Sequence, residues 1–167
     1  MKTLVAYLSL TGNTKKVAEA IYSEIPGEKE MRELGELEDL EGYGLSFIGF
    51  PVHAGNPAVA AKEFLEKNGP GKKIALFVTH AAPEDAEDVP GLLEACRAAA
   101  ASAELVGFFD CQGELDDNVR DFLLKSDSPK HREFGKMAHL TKGQPDETRL
   151  EKARAFTREV IEKAGTW

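Results

Sequence analysis

Six consecutive residues, Ser9-Leu10-Thr11-Gly12-Asn13-Thr14, carry four side chains able to donate hydrogen bonds. The hydroxyls of Ser9, Thr11 and Thr14 and the amide of Asn13 can all reach an anion. Gly12 lets the backbone approach it without a Cβ in the way. Capping a helix needs one such residue, so a run this dense points to the binding of a phosphate. Two nucleotide signatures are excluded. A P-loop needs a partner glycine upstream of Gly12 and a lysine closer to it than Lys15, and Gly42-x-Gly44 is followed by Phe47 where a dinucleotide fingerprint requires a third glycine.

The flanks of this run supply what a phosphate loop needs. Leu4, Val5, Ala6, Tyr7 and Leu8 form a short apolar stretch, as in a strand buried on both faces of a parallel sheet. A helical pattern begins at Lys15, and Val17, Ile21 and Ile25 put one face of it against that sheet before Pro26-Gly27 stops it. A loop between such elements aims unpaired backbone N–H groups and the positive end of the helix dipole at one spot.

The rest of the chain alternates in the same way. Glu28 to Arg32 reads as a weak strand, and Glu33 to Glu41, with Leu34, Leu37 and Leu40, as a short amphipathic turn of helix. Leu45 to Phe50 is a third strand ended by Pro51. A helix then starts at Pro57 and runs through Lys67 to the stop at Asn68-Gly69-Pro70-Gly71. Ile74 to Val78 is a fourth strand, Gly91 to Ala103 a helix, and Leu105 to Phe109 a fifth strand. Leu115 to Lys125 is a candidate helix. Ser126 to Gln144 reads as a polar surface excursion interrupted by Pro129 and Gly143, so that about 112–145 interrupts an otherwise single domain over 1–167. A last helix covers Asp146 to Lys163. Strands alternating with helices require parallel pairing and right-handed crossovers, which gives a doubly wound α/β sheet.

Ser9-Leu10-Thr11-Gly12-Asn13-Thr14 resembles the phosphate loop of the flavodoxin family, and Ile48-Gly49-Phe50-Pro51-Val52-His53 resembles the segment leading into that family's first flavin loop. The resemblance implies non-covalent FMN, one-electron chemistry and a flavodoxin-like five-stranded sheet in the order 2-1-3-4-5 with helices on both faces. Ligands of such sheets bind beyond the carboxyl ends of the strands where the order reverses. The loops Ser9 to Thr14, Pro51 to Asn56 and Thr79 to Asp88 meet there. The resemblance therefore assigns the phosphate to Ser9, Leu10, Thr11, Gly12, Asn13 and Thr14. It assigns the ring to Pro51, Val52, His53, Ala54, Gly55 and Asn56 on one side and to Thr79, His80 and Ala81 on the other. Gly55 is the position at which it implies a redox-linked turn of the backbone.

Many members of that family hold the flavin ring between Trp and Tyr, yet neither ring loop here contains Phe, Tyr or Trp. Only His53 and His80 can stack, and the sole tryptophan is Trp167. Aromatic stacking is worth about 0.5–1.5 kcal/mol per pair beyond burial, so its absence leaves the ring more open. No catalytic residue is assigned: a histidine in a loop is more often hydrogen-bonded or solvated than a base. No metal site is expected either, since no His-x₃-His or Cys-x₂-Cys spacing occurs. Cys111-Gln112-Gly113 follows the fifth strand at the same edge of the sheet and could approach the ring, although Cys111 reads more simply as a small apolar residue closing that strand.

Composition limits the partners. A net charge of −8 without a basic stripe argues against nucleic acid, and no window is long and apolar enough for a membrane span. The first strand follows Met1-Lys2 directly, with no leader pattern between them. Cys96 and Cys111 then read as free thiols of a cytoplasmic protein. The run Glu84-Asp85-x-Glu87-Asp88 would attract a basic redox partner. Three functions fit: an FMN-binding electron carrier, an FMN-dependent reductase of a quinone or other small acceptor, and a flavin-free binding or regulatory module. A phosphorylated receiver domain fits poorly, because Ser9 and Gly49-Phe50 stand where its acidic residues would be required.

Overall fold

Three strands carry apolar residues toward both faces of one sheet, and the rest of the fold covers those faces. The computed structural model describes residues 1–165; Trp167 lies outside them. The strands are β1 (Thr3–Tyr7), β2 (Lys29–Glu33), β3 (Leu45–His53), β4 (Asn56–Pro57), β5 (Lys73–His80) and β6 (Glu104–Gln112). The helices are α1 (Asn13–Glu24), α2 (Val59–Asn68), α3 (Val89–Ala99), α4 (Asp117–Leu124), α5 (Pro129–Lys136) and α6 (Glu147–Ala164). The parallel order is β2-β1-β3-β5-β6, which is the order expected for five main strands. The two-residue β4 adds an antiparallel hairpin to β3.

Alternation along each strand sorts the core into two layers. Leu4, Ile48, Phe50 and Leu76 pack with Ala61 and Leu65 of α2 and Cys96 of α3. Val5, Phe47 and Phe77 pack on the opposite face with Val17 and Ile21 of α1 and Ala153 and Val160 of α6. Helices thus cover both faces, as a parallel sheet requires. Gly49 is needed at its place in β3, because a Cβ there would overlap the Phe77 ring.

Several boundaries differ from the sequence expectation. β3 does not end at Pro51 but continues to His53. By that point β1 has ended, with Tyr7 paired to Gly49, and the Pro51 carbonyl faces β4, accepting from the Ala58 N–H. The imide nitrogen of Pro51 points the same way, so no ladder bond to β5 is lost. Pro57 lies in β4 rather than opening a helix, and α2 begins at Val59. β5 and β6 both run longer than expected, pairing Thr79 with Cys111 and His80 with Gln112. The excursion is helical. Asp116 caps α4 by accepting from the Asn118 and Val119 N–H groups, and Ser128 caps α5 by accepting from the His131 N–H, with Pro129 in its first turn. No helix among the described residues is long and apolar enough to cross a membrane.

Candidate functional site

The phosphate loop turns at Gly12, whose φ of 96° is a left-handed conformation open chiefly to glycine. Helix α1 starts directly after it, at Asn13 rather than at Lys15, and its first backbone bond runs from the Lys16 N–H to the Gly12 carbonyl at 3.1 Å. The N–H groups of Asn13 and Thr14 therefore project from the helix start. Ser9 Oγ accepts from the Gly12 N–H at 3.1 Å and the Lys15 N–H at 3.3 Å, so this hydroxyl does act as a cap. Asn13 Nδ2 donates to the Glu114 carbonyl at 2.9 Å, which ties the loop to the chain just after β6. Thr14 is buried, its Oγ1 lying 2.7 Å from Thr79 Oγ1. Leu10 and Thr11 are exposed.

Three of the four donor side chains thus build the loop, and its backbone is what faces outward. The first turn of α1 holds no acidic residue and does hold Lys15 and Lys16. Cations at the positive end of a helix dipole are unfavourable by themselves, and a bound anion would offset both. Among the described residues the donor set therefore fits a terminal phosphate.

The second wall is the β3–β4 hairpin. His53 pairs with Asn56, and the two residues between them, Ala54 at φ 48° and Gly55 at φ 78°, are both left-handed, which makes the turn type I′. Asn56 Nδ2 donates to the Ala54 carbonyl at 3.2 Å. His53 to Asn56 are exposed, and Pro51 and Val52 are half-buried beneath them.

The third wall follows β5. Thr79 and His80 belong to the strand, not to the loop, because β6 extends alongside them. The His80 ring is buried between the Ala82 carbonyl oxygen, 2.9 Å from Nδ1, and Asp110 Oδ2, 2.8 Å from Nε2. It is a cross-link within the fold, which leaves His53 as the histidine available to stack. Gln112 Nε2 donates to the Ala81 carbonyl, and the Glu84 carboxylate accepts from the Gln112 N–H and from Arg149 Nε. Cys111 is buried as expected, and burial, followed by the negative charges of Glu84 and Asp110, pushes its thiol up to about 12. It packs as a neutral group.

Sequence reasoning brought Cys111-Gln112-Gly113 to this edge of the sheet but missed Asp110 and Glu114, and it did not foresee that Asp110, Gln112 and Glu114, at and just after the end of β6, tie the loops together. Gly113 passes so close to Asn13 that a Cβ there would lie 2.6 Å from the amide nitrogen. No spacing rule marks these residues. Only their place after the fifth strand, at the same edge of the sheet, points to them. No group of three metal-ligating side chains occurs among the described residues.

A doubly wound sheet in the order β2-β1-β3-β5-β6, with a glycine turn and a helix start at its topological switch point, is a flavodoxin-like architecture. The family described as Flavodoxin domain matches residues 4–158, so the chain belongs to that family. It is 34% identical over 174 residues to the flavodoxin-like domain-containing protein BilS of Clostridioides difficile (strain CD3), with 98% of each chain covered. It also resembles a flavoprotein solved in complex with FMN from Lactobacillus acidophilus NCFM, at 25% identity and a TM-score of 0.52 over 72% of this chain and 97% of that one. Flavodoxin 2 of Bacillus cereus shares the fold, with a TM-score of 0.59 at 23% identity over 98% and 99% of the two chains.

Proposed function

We propose that this protein binds FMN non-covalently and carries single electrons to or from a redox partner. The observation that carries the reading is the start of α1, where a left-handed Gly12, free N–H groups and Lys15 and Lys16 converge with no acidic residue in the turn. The FMN complex of the Lactobacillus relative supports the choice of ligand. When bound, FMN supplies one-electron chemistry. The backbone at Thr11 to Thr14 would hold its phosphate, and the β3–β4 hairpin and the Ala81–Pro83 bend would hold its ring. The partner would be basic and would meet the acidic stretch Glu84 to Asp88 beside that bend. Two free, buried cysteines suit a reducing compartment such as the cytoplasm.

A second reading, an FMN-dependent reductase of a quinone or other small acceptor, draws on the exposed hairpin tip and the lack of aromatic cover at either wall. Steady-state turnover separates the two. A carrier reduced by a generic flavodoxin reductase passes electrons to a protein acceptor in a salt-dependent way. A reductase instead shows saturable turnover of the small acceptor.

A further inference from the structure

The end of β5 holds a pair of side chains to which FMN binding gives no role. His80 is 5% exposed, and both of its ring nitrogens are engaged, by the Ala82 carbonyl at 2.9 Å and by Asp110 Oδ2 at 2.8 Å. A carbonyl oxygen only accepts, so Nδ1 carries a proton. The contact with Asp110 needs a proton as well, held between Nε2 and the carboxylate, because two facing lone pairs repel at this distance. Asp110 is less enclosed than His80: its side chain is 26% exposed and opens into a cleft of about 480 Å³.

We infer that His80 and Asp110 form a proton-held latch that fixes the bend at Ala81-Ala82-Pro83, and that loss of one proton from the pair as pH rises loosens the bend and weakens the hold on flavin. The second half of this inference rests on the reading of that bend as a wall of the FMN site. The bend is held at Ala82 by His80 Nδ1–H, at Ala81 by Gln112 Nε2, and beyond it by Glu84, which accepts from the Gln112 N–H and from Arg149. The bonds from Gln112 and to Glu84 do not involve the imidazole. The bond to Ala82 depends on the orientation of the ring, and Asp110 sets that orientation. When the pair loses a proton, the neutral imidazole keeps its remaining one on Nε2, facing the Asp110 carboxylate, so the proton lost is that of Nδ1, and the bond to the Ala82 carbonyl is lost with it. The charged groups around the pair are Glu84 from the loop, Glu94 and Arg97 from α3 and Lys152 from α6, which line the same cleft as Asp110. The Cys111 thiol, pushed up to about 12 chiefly by burial, adds no charge.

Asp110→Asn separates the latch from its proton. The Asn amide donates to an unprotonated Nε2, so the ring keeps its place without a shared proton. The experiment follows the His80 ring nitrogens and the backbone amides of Ala81, Ala82 and Glu84 by ¹H–¹⁵N NMR of the FMN-free protein, from acid to alkaline pH across the range in which the protein stays folded. FMN affinity is measured by flavin fluorescence at the same pH values. In the wild type the three amides should titrate together with the ring, and the Kd for FMN should rise several-fold through the same midpoint. In Asp110→Asn both should be flat. The latch is overturned if the ring keeps both protons throughout, if it titrates while the amides stay still, or if Asp110→Asn retains the pH dependence. Titrating amides with a pH-independent FMN affinity overturn the link to flavin. Failure to bind FMN at any pH overturns the FMN reading instead, and the amides alone then decide the latch.

Discussion

Thr14 and Thr79 offer the most direct access to the loop before α1, because two buried hydroxyls from distant parts of the chain meet there. Their Oγ1 atoms are 2.7 Å apart, and the residues are 1% and 2% exposed. Thr14→Val or Thr79→Val alone leaves the partner hydroxyl buried without a bond, at a cost of about 1–3 kcal/mol, whereas replacing both by Val leaves nothing stranded and is close to neutral. For a chain of this size each single change should therefore lower Tm by about 2–12 °C, and the double variant should recover most of the loss. Urea unfolding of the FMN-free protein measures the cycle, and losses that simply add would refute the pairing. The cycle extends to the ligand. Both hydroxyls lie beneath the loop and hold its shape, so Thr14→Val and Thr79→Val should each weaken FMN only as far as they loosen the loop, and the double variant should recover affinity together with stability. A large loss of FMN affinity from Thr14→Val with none from Thr79→Val would contradict this and make the Thr14 hydroxyl a direct ligand.

The hairpin makes an opposed pair of predictions. Gly55→Ala places a Cβ at φ 78° and should cost about 1–2 kcal/mol in urea unfolding, while Ala54→Asn, at φ 48°, should gain about 1 kcal/mol, because Asn adopts the left-handed turn more readily. With FMN bound, Gly55→Ala should also lower the first one-electron potential; an unchanged potential would limit Gly55 to shaping a static turn. At the far edge of the sheet, bonds from the Lys2 ammonium, the Arg32 guanidinium and the Tyr43 hydroxyl hold the Glu30 carboxyl down at about 2, from an ordinary 4.5. A depressed carboxylate stabilises the fold above its unfolded value and loses that contribution as pH falls from about 4.5 toward 2. Glu30→Gln should therefore flatten the acid limb of a Tm against pH curve, and an unchanged limb would show that the cluster contributes nothing to it. Within the acidic run, Glu84 is tied to Arg149, and Asp88 lies 3.6 Å from Lys130. Asp85→Asn with Glu87→Gln should thus carry most of any slowing of electron transfer to a basic acceptor at low salt, and a rate unchanged by that pair would remove the docking role.

The strand order, both helix layers and the turn from β1 into α1 were legible in the sequence because each rests on local periodicity or on a dense set of capping and turn residues. Strand ends were not legible. Pro51 reads as a stop, yet it sits where β3 has lost its neighbour on one side and a missing N–H costs nothing. Thr79 and His80 read as loop because their place in the sheet is set by Cys111 and Gln112, about thirty residues away. For the same reason the role of His80 changed from a candidate for stacking to a buried cross-link, since nothing local announces Asp110 as its partner. In the polar stretch after β6 the candidate helix over Leu115 to Lys125 is α4, whereas the signal for α5 at Ser128-Pro129 was masked by the length and charge around it. In the phosphate loop the residue types were informative and their individual roles were not. Four donor side chains suggested four contacts to a ligand, and in the fold three of them are engaged in holding the loop itself.

The central claim is that the start of α1 exists to hold a terminal phosphate. A fluorescence titration of the purified protein with FMN, and in parallel with riboflavin, tests it most directly, because the two ligands share the ring and differ only in that group. The account predicts that FMN binds and that riboflavin binds far more weakly, with the difference shrinking when Gly12→Ala disturbs the left-handed turn at φ 96°. Equal affinities for the two ligands, or no response to FMN at all, would contradict it.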